Sequence, residues 1–197
     1  MKFFDPFGDI RVTGDRFPHW QQSGATYFIT FRLADSLPTE KLKALKQERD
    51  QWCDEHPKPW NHLTEMEYHR LFSAKIDRWL DQGYGSCLLA DPSNARIVMD
   101  ALQHFEGMRS VLLMPNHVHT LVTLHHDQAV DRLIHSWKSF TAHKLGKPPI
   151  WQRDYFDRLI RDADHFVNVR RYIRNNPGKA KPQEGAFLLH EAPATWM

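Results

Sequence analysis

The sequence predicts an α+β domain built on an antiparallel sheet of βαββαβ order, ferredoxin-like or RRM-like, with a helical insertion and a C-terminal helix carrying Tyr172. Three observations lead there. Residues 25–33 and 109–124 are runs of aromatic, aliphatic and β-branched residues that favour extended chain. Segments before and after the second run repeat their apolar residues at helical spacing. Pro115-Asn116 divides that second run, which reads as a hairpin or a sharply bent strand pair.

Taken in order, residues 1–24 hold Gly, Pro and Asp among aromatics and read as an irregular arm. Ala25 to Leu33 is the first strand, closed by Asp35-Ser36-Leu37-Pro38. From Thr39, an available N-cap, Leu42, Leu45 and Trp52 recur among charged residues until Pro57-Lys58-Pro59 stops the helix. A second helix is expected over about 64–82, from the spacing of Tyr68, Leu71, Phe72, Ile76, Trp79 and Leu80. Together these make a helical insertion at about 38–86.

Asp91-Pro92-Ser93-Asn94 opens the next helix, which directs Ile97, Val98, Ala101, Leu102 and Phe105 inward and stops near Gly107. After the strand pair, a helix over about 128–144 carries Val130, Leu133, Ile134 and Trp137, and Gly146-Lys147-Pro148-Pro149 ends it. Residues 151–160 supply another strand candidate. The last helix spans 163–175, with Asn176-Pro177-Gly178 as its stop because proline disfavours helix in the residue before it. The tail, about 179–197, has no assigned contact. In the βαββαβ order strands one and three are central neighbours, which puts the middle of residues 109–124 in mid-sheet.

With 197 residues the chain suits one domain, 1–197, interrupted by that insertion. A formal charge of +2 means that any nucleic-acid surface must come from a local arrangement of Lys and Arg. Cys53 and Cys87 stand far apart without Cys-x-x-Cys spacing, which fits a reduced, cytoplasmic setting and argues against a disulfide framework. The N-terminus lacks the apolar core of a signal peptide, and no uncharged window approaches the length of a membrane span, so no membrane partner is expected.

Chemistry concentrates in Met114-Pro115-Asn116-His117-Val118-His119. Residues i and i+2 of a strand share a face, so His117 and His119 stand side by side while Val118 points into packing. Two neutral imidazoles on a rigid platform can share a divalent cation; two surface histidines fit the same pattern. On the last helix, Tyr172 and Asn176 are four residues apart and share a face, offering a phenol and a carboxamide oxygen suited to a third ligand position. Taken alone, Tyr172 also fits amphipathic packing, and Asn176 a helix cap.

The Met-Pro-Asn-His-Val-His run resembles the His-hydrophobic-His signature of HUH single-strand endonucleases, in the form carried by REP-associated tyrosine transposases. The resemblance continues in Trp151-Gln152-Arg153-Asp154-Tyr155-Phe156-Asp157 and in Arg171-Tyr172-Ile173-Arg174-Asn175-Asn176-Pro177-Gly178-Lys179-Ala180. It covers about 25–33 and 86–180, with the insertion matched least. It implies Tyr172 as nucleophile, His117, His119 and Asn176 as ligands of Mg²⁺ or Mn²⁺, and a 5′-phosphotyrosine intermediate formed on single-stranded or hairpin DNA of REP type. Lys138, Lys144, Arg170, Arg171 and Arg174 are the candidate phosphate contacts. The active unit is a monomer, or a homodimer exchanging its last helix. The same residues also fit a non-catalytic single-stranded nucleic-acid-binding module, or a metal-dependent hydrolase that uses water in place of tyrosine.

Overall fold

The structure is a computed structural model and describes residues 1–13, 19–57, 60–146, 149–180 and 187–193. Its strands are β1 (Arg11–Thr13), β2 (His19–Gln21), β3 (Thr26–Arg32), β4 (Met108–Leu113), β5 (His117–Thr123), β6 (Phe156–Leu159) and β7 (Leu188–Glu191). The α-helices are α1 (Thr39–Glu55), α2 (His62–Tyr68), α3 (Ala74–Leu80), α4 (Pro92–Gln103), α5 (Val130–Leu145) and α6 (Ala163–Ala180). Five strands form one antiparallel sheet in the order β6-β3-β5-β4-β7. Without β7 this is the 4-1-3-2 arrangement of a βαββαβ fold, with the first and third strands at its centre as the sequence implies.

Both faces of the sheet are covered, which is why every residue of β5 is buried despite its two-residue alternation. On one face, Tyr27, Ile29, Phe31, Val118 and Val122 pack with Val98 and Leu102 of α4 and Ile134 and Trp137 of α5. On the other, Leu112 and Leu121 pack with Phe166 and Ile173 of α6. Helix α6 therefore lies over the sheet of its own chain, on the face opposite the two crossover helices. No helix among the described residues is long and apolar enough to cross a membrane.

The insertion forms a helical unit with its own small core, in which Leu45, Trp52 and Phe72 gather Trp60, Tyr68, Ile76 and Trp79. Its second limb is continuous from α2 to α3 through one π-helical segment, His69–Ser73. The chain returns to the sheet through Gly85 at φ +86°, where a Cβ would lie 2.4 Å from the Asp35 carbonyl oxygen. Only glycine tolerates that backbone and that approach.

Several local expectations are corrected. Pro38, extended at φ −60° and ψ 134°, occupies the N-cap of α1, and Thr39 lies inside the first turn. Asp91 does cap α4, its Oδ1 accepting from the amides of Ser93 at 2.8 Å and Asn94 at 3.2 Å. The arm at 1–24 contains a ladder, β1 on β2, although residues 14–18 lie outside the described residues. The strand expected over 151–160 is confined to β6, with Trp151 making only an isolated bridge to Leu33. Its missing part has a physical cause: the carbonyls of Gln152, Arg153 and Asp154 all accept from the Lys138 ammonium, at 2.8, 3.0 and 3.0 Å, and turn away from the sheet. Pro177 does not end α6 but sits within it. A proline removes one backbone hydrogen bond from a helix, and here both Asn176 and Pro177 are buried. The tail supplies β7 on the free edge of β4.

Replacing Gly85 with alanine forces both a strained φ and a backbone clash, and is expected to cost at least about 1–3 kcal/mol. A lowered thermal unfolding midpoint, with the native circular dichroism spectrum retained at low temperature, is the outcome to measure.

Candidate active site

Strand β5 directs His117 and His119 to the face covered by α6, each only 1% exposed, with their Nε2 atoms 3.1 Å apart. A tight hairpin fixes them: the Met114 amide donates to the His117 carbonyl at 2.9 Å, and the Leu33 amide to the Asn116 carbonyl at 2.9 Å. The Asn116 side chain then sets the imidazole. Its Nδ2 donates to the carbonyls of Leu80 at 3.2 Å and Tyr84 at 3.1 Å, which turns Oδ1 toward His117 Nδ1 at 2.7 Å. A carboxamide oxygen only accepts, so Nδ1 of His117 carries the proton and Nε2 presents its lone pair. Burial, reinforced by neighbouring His119, pushes the His117 pKa well below its ordinary value and keeps the ring neutral.

His119 has an adaptable partner. Its Nδ1 lies 2.8 Å from the hydroxyl of Thr30, the residue directly opposite on β3. With Thr30 donating, the His119 Nε2 proton satisfies the lone pair of His117. With Thr30 accepting, the proton sits on Nδ1 and both Nε2 lone pairs converge on one point. A rotating hydroxyl permits either state without moving the rings.

Tyr172 closes the site from α6. Its ring stands edge-on to His119 at 5.6 Å and to Phe28 at 5.8 Å, and Phe28 stacks on His119 at 5.6 Å. The hydroxyl donates to Asp77 Oδ2 of α3 at 3.2 Å. Burial, the negative charges of Asp77 and Asp81, and that hydrogen bond all raise the phenol pKa above its usual value, while the Asn176 side chain acts in the opposite direction. Asn176, one turn later and 1% exposed, has its Oδ1 buried without a hydrogen-bond partner among the described residues. An orphaned carboxamide oxygen in a dry site is costly unless something electropositive reaches it. Among the described residues no group of three His, Cys, Asp or Glu side chains could hold a metal. The two imidazole nitrogens of β5 and the Asn176 oxygen of α6 are groups of a kind that ligate divalent transition metals.

The structure thus brings His117, His119, Tyr172 and Asn176 together. The basic residues pair elsewhere or face solvent. Lys138 sits on the α5 side, its ammonium bound by three carbonyls and its pKa lowered to about 8 chiefly by burial, so it remains mostly charged at neutral pH. Arg170 donates to Glu191 at 3.0 Å and to the Ala192 carbonyl at 2.6 Å, and Arg174 donates to Glu191 at 2.7 Å, so both are tied to β7. Arg171 and Lys144 are exposed. Trp151 is a core residue, its indole donating to Thr141 Oγ1 at 2.8 Å. Asn116, Thr30 and Asp77 were not singled out from the sequence. Only the place of Asn116 beside His117 offered a signal, since the other two lie 89 and 95 residues from their partners.

Burial raises the Glu191 carboxyl pKa, but hydrogen bonds and charge from Arg174 and Arg170 outweigh it and hold the group below 4.5. A carboxyl depressed in the fold contributes stability that is present above its unfolded pKa and fades as pH falls through the folded value. Glu191→Gln is therefore expected to lower the melting temperature at pH 7 and to narrow its gap from the parent as the pH drops below about 4. Melting curves across that range check it.

Residues 102–176 match the family model described as IS200-like transposase, a span that runs from the end of α4 through Asn176. No curated protein matches the chain. Among solved structures, a REP-associated tyrosine transposase bound to a REP hairpin is similar at 15% identity and a TM-score of 0.48, over 84% of this chain and 74% of that one.

Proposed function

We propose that the protein is a metal-dependent single-strand DNA endonuclease and strand transferase that forms a 5′-phosphotyrosine intermediate through Tyr172, with REP-type hairpin DNA as substrate. The observation that carries this reading is the packing of the Tyr172 ring against His119, whose Nε2 faces that of His117, with the unpartnered Asn176 oxygen one turn away. The match of residues 102–176 to IS200-like transposases supports the class of reaction and DNA as the partner.

His117, His119 and Asn176 would hold the cation. When bound, Mg²⁺ or Mn²⁺ supplies a Lewis acid that polarises a phosphate oxygen and offsets charge developing at phosphorus. The chain's own residues do the rest. Asn116 keeps the His117 lone pair directed at the site, and Thr30 accepts the Nδ1 proton of His119 so that its Nε2 presents a lone pair. Phe28 holds His119 by stacking and Tyr172 by an edge contact, so nucleophile and ligand share one support. Attack by the phenol oxygen forms the bond to phosphorus and releases a 3′-hydroxyl; reversal by another 3′-hydroxyl joins strands. No energy cofactor is needed, because each step exchanges one phosphodiester for another.

All four groups come from one chain here, and the monomer is the proposed active unit. The exposed Arg171 and Lys144, with Arg174 at the rim, are the proposed phosphate contacts. Arg170 and Lys138 shape the surface through Glu191 and the loop before β6.

Incubation with a single-stranded oligonucleotide that folds into a REP-like hairpin, in Mn²⁺, is expected to give a protein-DNA adduct that survives denaturation. EDTA abolishes it, and Tyr172→Phe gives none; an equal yield of adduct from Tyr172→Phe overturns the assignment. A pure binding module would hold the same DNA without any adduct.

Asn116→Ala removes the partner of His117 Nδ1. It is expected to weaken Mn²⁺ binding by about 10–100-fold, as loss of an outer hydrogen-bond partner does at other histidine sites. Calorimetric titration of both proteins measures it.

A further inference from the structure

We infer that Asp77, on the helical insertion, is the general base for Tyr172, accepting the phenol proton as the oxygen bonds to phosphorus. The inference rests on Tyr172 being the nucleophile. Its geometric basis is direct: the Tyr172 hydroxyl donates to Asp77 Oδ2 at 3.2 Å, so donor and acceptor are already paired along the path the proton must take.

The other groups around the hydroxyl fill that role poorly. Asn176 is a carboxamide and has no basic site. The Nε2 atoms of His117 and His119 lie 3.1 Å apart and are the ones a cation would occupy. The phenol must give up its proton as the O–P bond forms. A carboxylate already hydrogen-bonded to the phenol meets that requirement without first forming an isolated buried anion.

The placement of Asp77 is built into the fold. Helix α3 ends at Leu80, whose carbonyl is bound by Asn116, and the same amide binds the Tyr84 carbonyl beyond it. The residue that orients His117 therefore also anchors the segment that brings Asp77 over Tyr172. Asp81, one turn after Asp77, adds negative charge to the same side. A segment that looks peripheral in the chain thus completes the site.

The step balances as follows. A lone pair of the phenol oxygen forms the O–P bond while its proton passes to Asp77 Oδ2. The P–O3′ bond breaks, its electron pair leaves with the 3′ oxygen, and that oxygen takes a proton from water. In the joining direction the incoming 3′-hydroxyl loses its proton to water, and Asp77 returns its proton to the departing phenol oxygen.

The test uses the full chain, the REP-like hairpin and Mn²⁺, and follows the rate of adduct formation at saturating DNA together with DNA affinity and thermal midpoint. Asp77→Asn keeps the shape and an accepting oxygen but loses basicity. It is expected to slow adduct formation by about 100-fold or more, with DNA affinity within about threefold of wild type and the midpoint within a few degrees. Asp77→Glu, which restores a carboxylate on a longer stem, is expected to recover at least about tenfold of that loss, a gain that a purely structural role would not give. An Asp77→Asn rate within about threefold of wild type, or faster, overturns the inference and leaves the nucleophile standing. Should Asp77→Asn not fold, an Asp77→Glu protein that folds and binds DNA yet reacts no faster than Tyr172→Phe overturns it too. Absence of adduct from the wild type, or full adduct from Tyr172→Phe, overturns the nucleophile reading itself and this inference with it.

Discussion

The Asn116 side chain holds the two halves of this protein in register. One carboxamide donates twice, to the carbonyls of Leu80 and Tyr84, and accepts once, from His117 Nδ1. Each bond dictates the next. Because the insertion's carbonyls consume the amide hydrogens, the oxygen must face the imidazole. Because the oxygen can only accept, the imidazole must place its proton there and its lone pair toward the site. In a region only 1% exposed, a failure anywhere in this chain leaves a buried polar group unpaired.

Around that link the fold arranges a dry, two-sided sheet. Helices α4 and α5 seal one face with aliphatic and aromatic side chains, and α6 with Met1 and Phe3 of the N-terminal arm covers the other. Burial on both faces makes the histidine pair more than a surface feature. It keeps the His117 imidazole neutral, as a ligand must be, and raises the phenol pKa, so proton removal becomes a problem the site has to solve locally. The Asn176 oxygen belongs to the same pattern, buried without a hydrogen-bond partner among the described residues.

Charge placement follows a separate logic. Glu191 collects Arg170 and Arg174, and Lys138 collects three carbonyls of the loop before β6, so three of the five basic residues that suggest a DNA surface also secure chain segments. A sequence reveals the charge of a residue but not what neutralises it. Pro177, read as a helix stop from a local rule, lies inside α6.

Local periodicity alone determined the strand that carries His117 and His119, their common face, the shared face of Tyr172 and Asn176, and the βαββαβ order, because each follows from spacings of two or four residues along one element. What only the tertiary structure decided was which of those faces meet. Thr30 reaches His119 across 89 residues, Asp77 reaches Tyr172 across 95, and β7 finds the edge of β4 from the far end of the chain. Such contacts depend on how helices and sheet pack in three dimensions, where hydrophobic burial is non-directional and leaves no fixed spacing in the sequence to read.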